Sequence, residues 1–199
     1  MSEIGYTKEQ LFEILKAVIN AIEEAEGYAQ GHSQRVLEYA MAIAKHLEPP
    51  YEDPALPLAC LLHDIGMLGI PIEITLKPAR LTNEERALLE RHPLFSVQML
   101  QHIQGIDDVL KIIRHHHEAY DGTGYPDGIA REEIPLGARI LAVADAFEAM
   151  TCRRPHRWPL PLAEALTEIR RNSGRAFDPK VVDALLKAWQ AREIPFFKK

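Results

Sequence analysis

Apolar residues recur at spacings of three and four along almost the whole chain, so the pattern predicts helices and no period-two strand. Leu11, Leu15, Val18 and Ile22 share one face of a first helix, opened by Thr7 with Gln10 three residues on, the capping-box pattern. A second helix is predicted over about 33–47, where Val36, Ala40, Ile43 and Leu47 align, with His32 at its mouth and Pro49 and Pro50 ending it. "LPLACLLHDIG" reads as a buried helix with His63 and Asp64 in its last turn and Gly66 as a left-handed cap. Thr82 with Glu85 opens another helix, whose face carries Leu88, Leu89 and His92 before Pro93 starts the next. Asp107 is read as the cap of a helix whose inward stripe is Val109, Ile112, Ile113, His116 and His117, with His115 off the stripe. "ARILAVADAFEAMT" aligns Leu141, Asp145, Glu148 and Thr151 on one face. The last two helices fall at about 161–171 and 179–191, the second capped by Asp178 with Pro179 as its first residue. The proline clusters at 49–57 and 155–161 are short enough to be loops within one domain.

With 199 residues, 47% of them hydrophobic, the chain has material for one sizeable core. Its formal charge of -6, with both signs mixed throughout, leaves no basic stripe for a nucleic-acid duplex. Any phosphate-bearing ligand must therefore be held by local charge. Cys60 and Cys152 lie far apart and belong to no CxxC pair, which fits a reduced, cytoplasmic setting. The N-terminus has no secretory pattern and no apolar run approaches the roughly 20 residues of a membrane span, so neither export nor membrane insertion is expected.

The stripes end in side chains that bind metals. His32, His63, Asp64, His92, His116, His117 and Asp145 lie on inward faces, spaced so that successive helices of a bundle each contribute to one interior site. One histidine on an apolar face is ordinarily a hydrogen-bonded core residue, but this many together, twice on adjacent positions, point to a shared site. Imidazole and carboxylate without thiolate suit iron, manganese, zinc or nickel. Seven donors exceed the needs of one ion and match two, with Asp64 as the bridge and positions open for water and substrate. His46, His102 and His156 are read as surface residues and His115 as a bystander. Glu118 is placed to receive a proton from a ligating imidazole.

The motifs "GHSQRV", "LLHDIGMLGIP", "LTNEERALLERHP", "HHEAYDGTGYPDG", "REEIPLGARILAVADAFEAMTCRRPHR" and "FDP" together resemble the HD-GYP family, a subset of the HD phosphohydrolases, from about residue 26 to 182. The resemblance implies an all-α HD-domain helical bundle with a metal site in its interior, formed by residues 26–199. Residues 1–25 would form an N-terminal helix that packs on this domain or against a second copy. It also implies two divalent metal ions, iron or manganese, and hydrolysis of cyclic di-GMP to linear pGpG or on to GMP. His63 and Asp64 would be catalytic. His32, His63, Asp64 and Asp145 would hold one ion, and Asp64, His92, His116 and His117 the other. Gly124, Tyr125 and Pro126 stand at the signature loop, and Arg154 and Arg157 at positions that contact substrate phosphate, a task that suits guanidinium. Met67 replaces the family's usual lysine, and Glu148 the usual aspartate three residues past Asp145. Tyr28 stands where some members carry the glutamate that goes with a third metal, so two ions are expected. A homodimer and a diguanylate cyclase or sensor protein are the implied partners. The competing readings are an HD phosphohydrolase acting on another phosphoester and a cyclic di-GMP adaptor without turnover.

Overall fold

In chain order the helices are α1 (Lys8–Glu26), α2 (His32–Lys45), α3 (Ala55–Leu62), α4 (Ile72–Thr75), α5 (Asn83–Leu89), α6 (His92–Leu100), α7 (Asp107–His115), α8 (Leu136–Thr151), α9 (Leu162–Arg171) and α10 (Pro179–Gln190). They are seen in a computed structural model that describes residues 7–26, 30–152 and 158–194. Among the described residues there is no strand, only an isolated bridge between Ser173 and Phe177.

Local chemistry sets several of these boundaries. Thr7 and Gln10 exchange amide hydrogen bonds through their side chains at the start of α1, and Thr82 and Glu85 do the same at the start of α5. Asp178 accepts from the Lys180 amide, with Pro179 in the first turn of α10. The start of α2 is capped from outside: Glu23 of α1 is buried and accepts from the amides of Gly31 (2.6 Å) and Ser33 (2.7 Å). The first helix is thereby tied to the residue on each side of His32.

α8 runs through the core, with Ala138, Ile140, Leu141, Val143, Ala144 and Phe147 fully buried against α2, α7, α9 and α10. Ala40, Ala44 and Ala59 are also buried, and such small side chains let helix axes approach closely. Tyr39 meets the Phe147 ring edge-on at 5.1 Å. This packing holds Asp145 and Glu148 on a rigid element.

Three boundaries differ from the sequence reading. α3 ends at Leu62, and a 3-10 turn (Ile65–Gly69) follows Asp64. Gly66 within it is not left-handed; it is required because a Cβ there would overlap the His92 carbonyl oxygen and the Ser96 amide. His92 does not continue α5 but opens α6, with Pro93 in the first turn. Asp107 lies inside α7, whose N-cap is Ile106, so its carboxylate contributes through the helix dipole instead of a capping bond.

The Gly66 contact gives a test of the framework. Gly66→Ala should destabilise the chain by about 1–3 kcal/mol, the usual range for overpacking, as read from urea unfolding. A stability equal to wild type would show that the 3-10 turn does not need this approach to α6.

Candidate metal centre

Each of four histidines has its Nδ1 engaged, which turns Nε2 toward a common space. His63 donates to the Cys60 carbonyl (2.8 Å), His92 to that of Leu89 (2.9 Å) and His116 to that of Ile113 (2.6 Å). All three use the carbonyl three residues back, so the helix end itself sets the tautomer. His32 is anchored by Glu148 Oε2 at 2.8 Å, and Glu148 Oε1 in turn accepts from Arg35 Nε (2.8 Å) and Nη2 (2.7 Å). Fixing a ring through a carboxylate or a carbonyl in this way is how proteins orient metal-binding imidazoles.

The free nitrogens converge in two groups around Asp64. His32 Nε2 lies 3.3 Å from His63 Nε2, and His92 Nε2 lies 3.4 Å from His116 Nε2. Asp64 Oδ2 faces the first pair, 3.6 Å from His32 and 3.4 Å from His63. Its Oδ1 faces the second, 3.2 Å from His92 and 4.0 Å from His116. Asp145 Oδ1 approaches His32 at 3.5 Å. Donor atoms of His32, His63 and Asp145 form one cluster and those of Asp64, His92, His116 and His117 another. Two imidazole nitrogens that both present lone pairs at this distance repel unless a proton or a cation lies between them. Five imidazoles and two carboxylates, with no sulfur, form a donor set that suits divalent transition metals. His63 is wholly buried, whereas the Asp64 side chain is 37% exposed, so the cluster opens to solvent on the carboxylate side.

The electrostatics of the metal-free cluster follow from these contacts. Burial works against a proton on His32, but hydrogen bonds to Asp64 and Glu148 and the charges of Glu148 and Asp145 outweigh it and lift the ring to about 10. Enclosure also works against ionisation of Asp64, yet the facing imidazoles of His63, His32 and His92 hold it well below the usual carboxylate range. Burial and the neighbouring His92 push His117 down to about 4, and burial with three adjacent rings pushes His116 lower than its ordinary value. A proton on His32 thus takes the place of a cation beside Asp64, while His116 and His117 are held toward their neutral forms.

The signature loop closes one side. Gly124 sits against residues 117–119, where a Cβ would overlap the Ala119 amide. Tyr125 donates its amide to the His117 carbonyl (3.2 Å) and stacks on the His117 ring with centroids 5.0 Å apart. The Tyr125–Pro126 peptide is cis.

Glu118 does not face a ring of either cluster. Its carboxylate accepts from the amides of Asp127 (2.7 Å) and Gly128 (3.2 and 3.1 Å), so it anchors the loop in place of the proton-accepting role expected for it. Arg154 and Arg157 lie outside the described residues. Met67 follows Gly66 in the 3-10 turn, its amide donating to the Asp64 carbonyl (2.8 Å). His46 pairs with Glu193 and His102 is exposed, in keeping with surface positions. Two supporting residues escaped sequence reasoning. Arg35 holds Glu148, and Ser96 Oγ donates to the His63 carbonyl and accepts from the Gly66 amide, both at 2.8 Å. Their placement one helical turn beyond His32 and His92 was the available signal.

The profile of the HD domain family matches residues 16–181. The chain is 37% identical over 190 residues to the cyclic di-GMP phosphodiesterase response regulator RpfG of Xanthomonas campestris, covering 94% of this chain and 50% of that protein. It is 38% identical over 180 residues to a cyclic di-GMP phosphodiesterase of Thermotoga maritima, covering 89% and 49%. The chain therefore spans about half the length of these curated relatives. The crystal structure of a cyclic GMP-AMP specific phosphodiesterase of Vibrio cholerae shares the fold, with a TM-score of 0.71 at 21% identity over 92% of this chain and 49% of that one. The chain belongs to the HD domain family, in the HD-GYP branch whose signature it carries at residues 116–126.

Proposed function

We propose that this chain is a metal-dependent phosphodiesterase that opens cyclic di-GMP to linear pGpG. The observation that carries the reading is Asp64, whose two carboxylate oxygens each face a separate imidazole pair. In this proposal His32, His63, Asp64 and Asp145 hold one divalent ion, and Asp64, His92, His116 and His117 the other. The donors favour iron or manganese and also accept zinc or nickel. Bound there, two such ions supply Lewis acidity that eases deprotonation of water near neutral pH and offsets charge on the phosphate oxygens.

The chain's own groups orient the reaction. Hydrolysis adds water across one P–O3′ bond: the hydroxyl oxygen joins phosphorus and the proton ends on the departing ribose oxygen. His63 and Asp64 are the catalytic pair, His63 held rigidly by Cys60 and Asp64 open on one side to take the water's proton. Tyr125, stacked on His117, forms a wall for the dinucleotide together with Gly124 and Pro126. Arg154 and Arg157 pair with phosphate oxygens in the same reading, as guanidinium is suited to do. Support for a cyclic dinucleotide comes from the names of the relatives.

No described helix is long and apolar enough to cross a membrane. A cytoplasmic setting belongs to the proposal and is supported by the free thiols of Cys60 and Cys152. Self-association through α1, which exposes Ile14 and Val18 while burying Ile19, is also part of it, as is a cyclase or sensor partner.

Two outcomes test the reading. Chromatography after anaerobic incubation of cyclic di-GMP with the iron(II)- or manganese(II)-loaded chain should show pGpG. Asp64→Ala should lower turnover by at least about a thousandfold, since one side chain serves both ions. Intact cyclic di-GMP with metal bound to the wild type would move the assignment to another phosphoester or to a binding role. The second outcome concerns pH. His32, lifted to about 10, carries a proton at neutrality in the metal-free chain, and a ligand nitrogen must be free of it. Metal binding should therefore release protons and tighten as pH rises, by up to about tenfold per unit, as titration calorimetry in buffers of different ionisation enthalpy would show. An affinity independent of pH across neutrality would contradict the His32 assignment.

A further inference from the structure

His115, one residue before the ligating pair, belongs to neither cluster of the main centre, yet it faces two carboxylates of its own. His115 Nδ1 lies 3.5 Å from Asp127 Oδ2 and 3.7 Å from Glu118 Oε1. The nitrogen is shut off from solvent and has no hydrogen-bond partner, an unfavourable condition for a buried polar atom. These separations are close to what a shared ion would need. Around a tetrahedral ion with N and O donors at 2.0–2.2 Å, donors stand about 3.3–3.6 Å apart. The distances from Asp64 to His32 and His63, 3.6 and 3.4 Å, fall in the same range.

Charge argues in the same direction. The Glu118 side chain is fully buried and accepts from the Asp127 and Gly128 amides. Asp127 adds a second negative charge, and Arg114 offsets one of the two through Nε to Oδ2 and Nη2 to Oδ1, both at 2.7 Å. That leaves more carboxylate than cation around a ring nitrogen that lacks a hydrogen-bond partner. An uncompensated charge in such a place is costly, and a cation removes both deficits at once.

The geometry points to a further divalent-cation site in which His115, Glu118 and Asp127 hold one zinc-class ion, with a fourth position for water. It shares no ligand with the main centre and uses no residue near position 28. It does not depend on the proposed reaction. Asp127 directly follows Tyr125 and Pro126, and His115 directly precedes His116 and His117. An ion held between them clamps the signature loop to the end of α7 and keeps Tyr125 in register with the His117 ring.

The test is a zinc titration of the metal-freed full chain against a chromophoric chelator, comparing wild type with His115→Gln and Asp127→Asn. Each substitution should lower the number of zinc ions bound by about one per chain. Circular dichroism checks that the variants fold. If His115→Gln disturbs the adjacent ligands and loses more, Asp127→Asn decides, since it removes one donor from the outer side of the cluster. Unchanged zinc content in Asp127→Asn overturns the site and leaves Arg114 as the cation that serves the cluster. Asp64→Ala, titrated in parallel, reads the main centre separately, so failure of the paired-ion proposal is distinguishable from failure of this one.

Discussion

The arrangement depends on one constraint: four histidines have their Nδ1 committed elsewhere, so their Nε2 atoms turn toward one another and toward the carboxylates of Asp64 and Asp145. In water such a gathering would disperse. Here it is held because each ring is anchored at a helix terminus by the carbonyl one turn back, or, for His32, by Glu148. Three unrelated features follow from it. Gly66 and Ser96 press the turn after Asp64 onto α6, Glu23 caps α2 beside His32, and Gly124 lets the loop lie on residues 117–119. Each secures the backbone next to a ligand.

The anchoring carries a stability penalty that the chain offsets locally. Glu148 is buried, and an isolated carboxylate in that position would be expensive. Arg35 on one side and His32 on the other neutralise it, which makes the pair a precise support and a weak source of net stability. In the metal-free chain the proton on His32 performs the same service for Asp64 and Asp145. The site is therefore arranged around positive charge whichever cation provides it.

Much of the fold was legible because its signals are local. The capping boxes at Thr7 and Thr82, the Asp178–Pro179 start and the helical stripes around Val36, Ile113 and Leu141 all depend on residues within a few positions of each other. The inward-facing histidines could be read from the same periodicity. What escaped was tertiary. Gly66 looked like a left-handed cap, but its reason is the approach of α6, some thirty residues on. Glu118 looked like a partner for an imidazole, whereas the loop returning at 127–128 claims both its oxygens. Asp107 gave the right start for α7 but the wrong role, since Ile106 takes the cap position. Helical spacing places Arg35 one turn beyond His32, but its partner Glu148 lies 113 positions away, a pairing that spacing along one helix does not reveal.

The central claim is that Asp64 joins two ions, one through each oxygen. Anomalous scattering from crystals grown with manganese(II) tests it most directly. The account predicts two peaks about 3.5–4 Å apart, one beside His32, His63 and Asp145 and the other beside His92, His116 and His117, with Asp64 touching both. A single peak, or two peaks with Asp64 bound to only one of them, would contradict it.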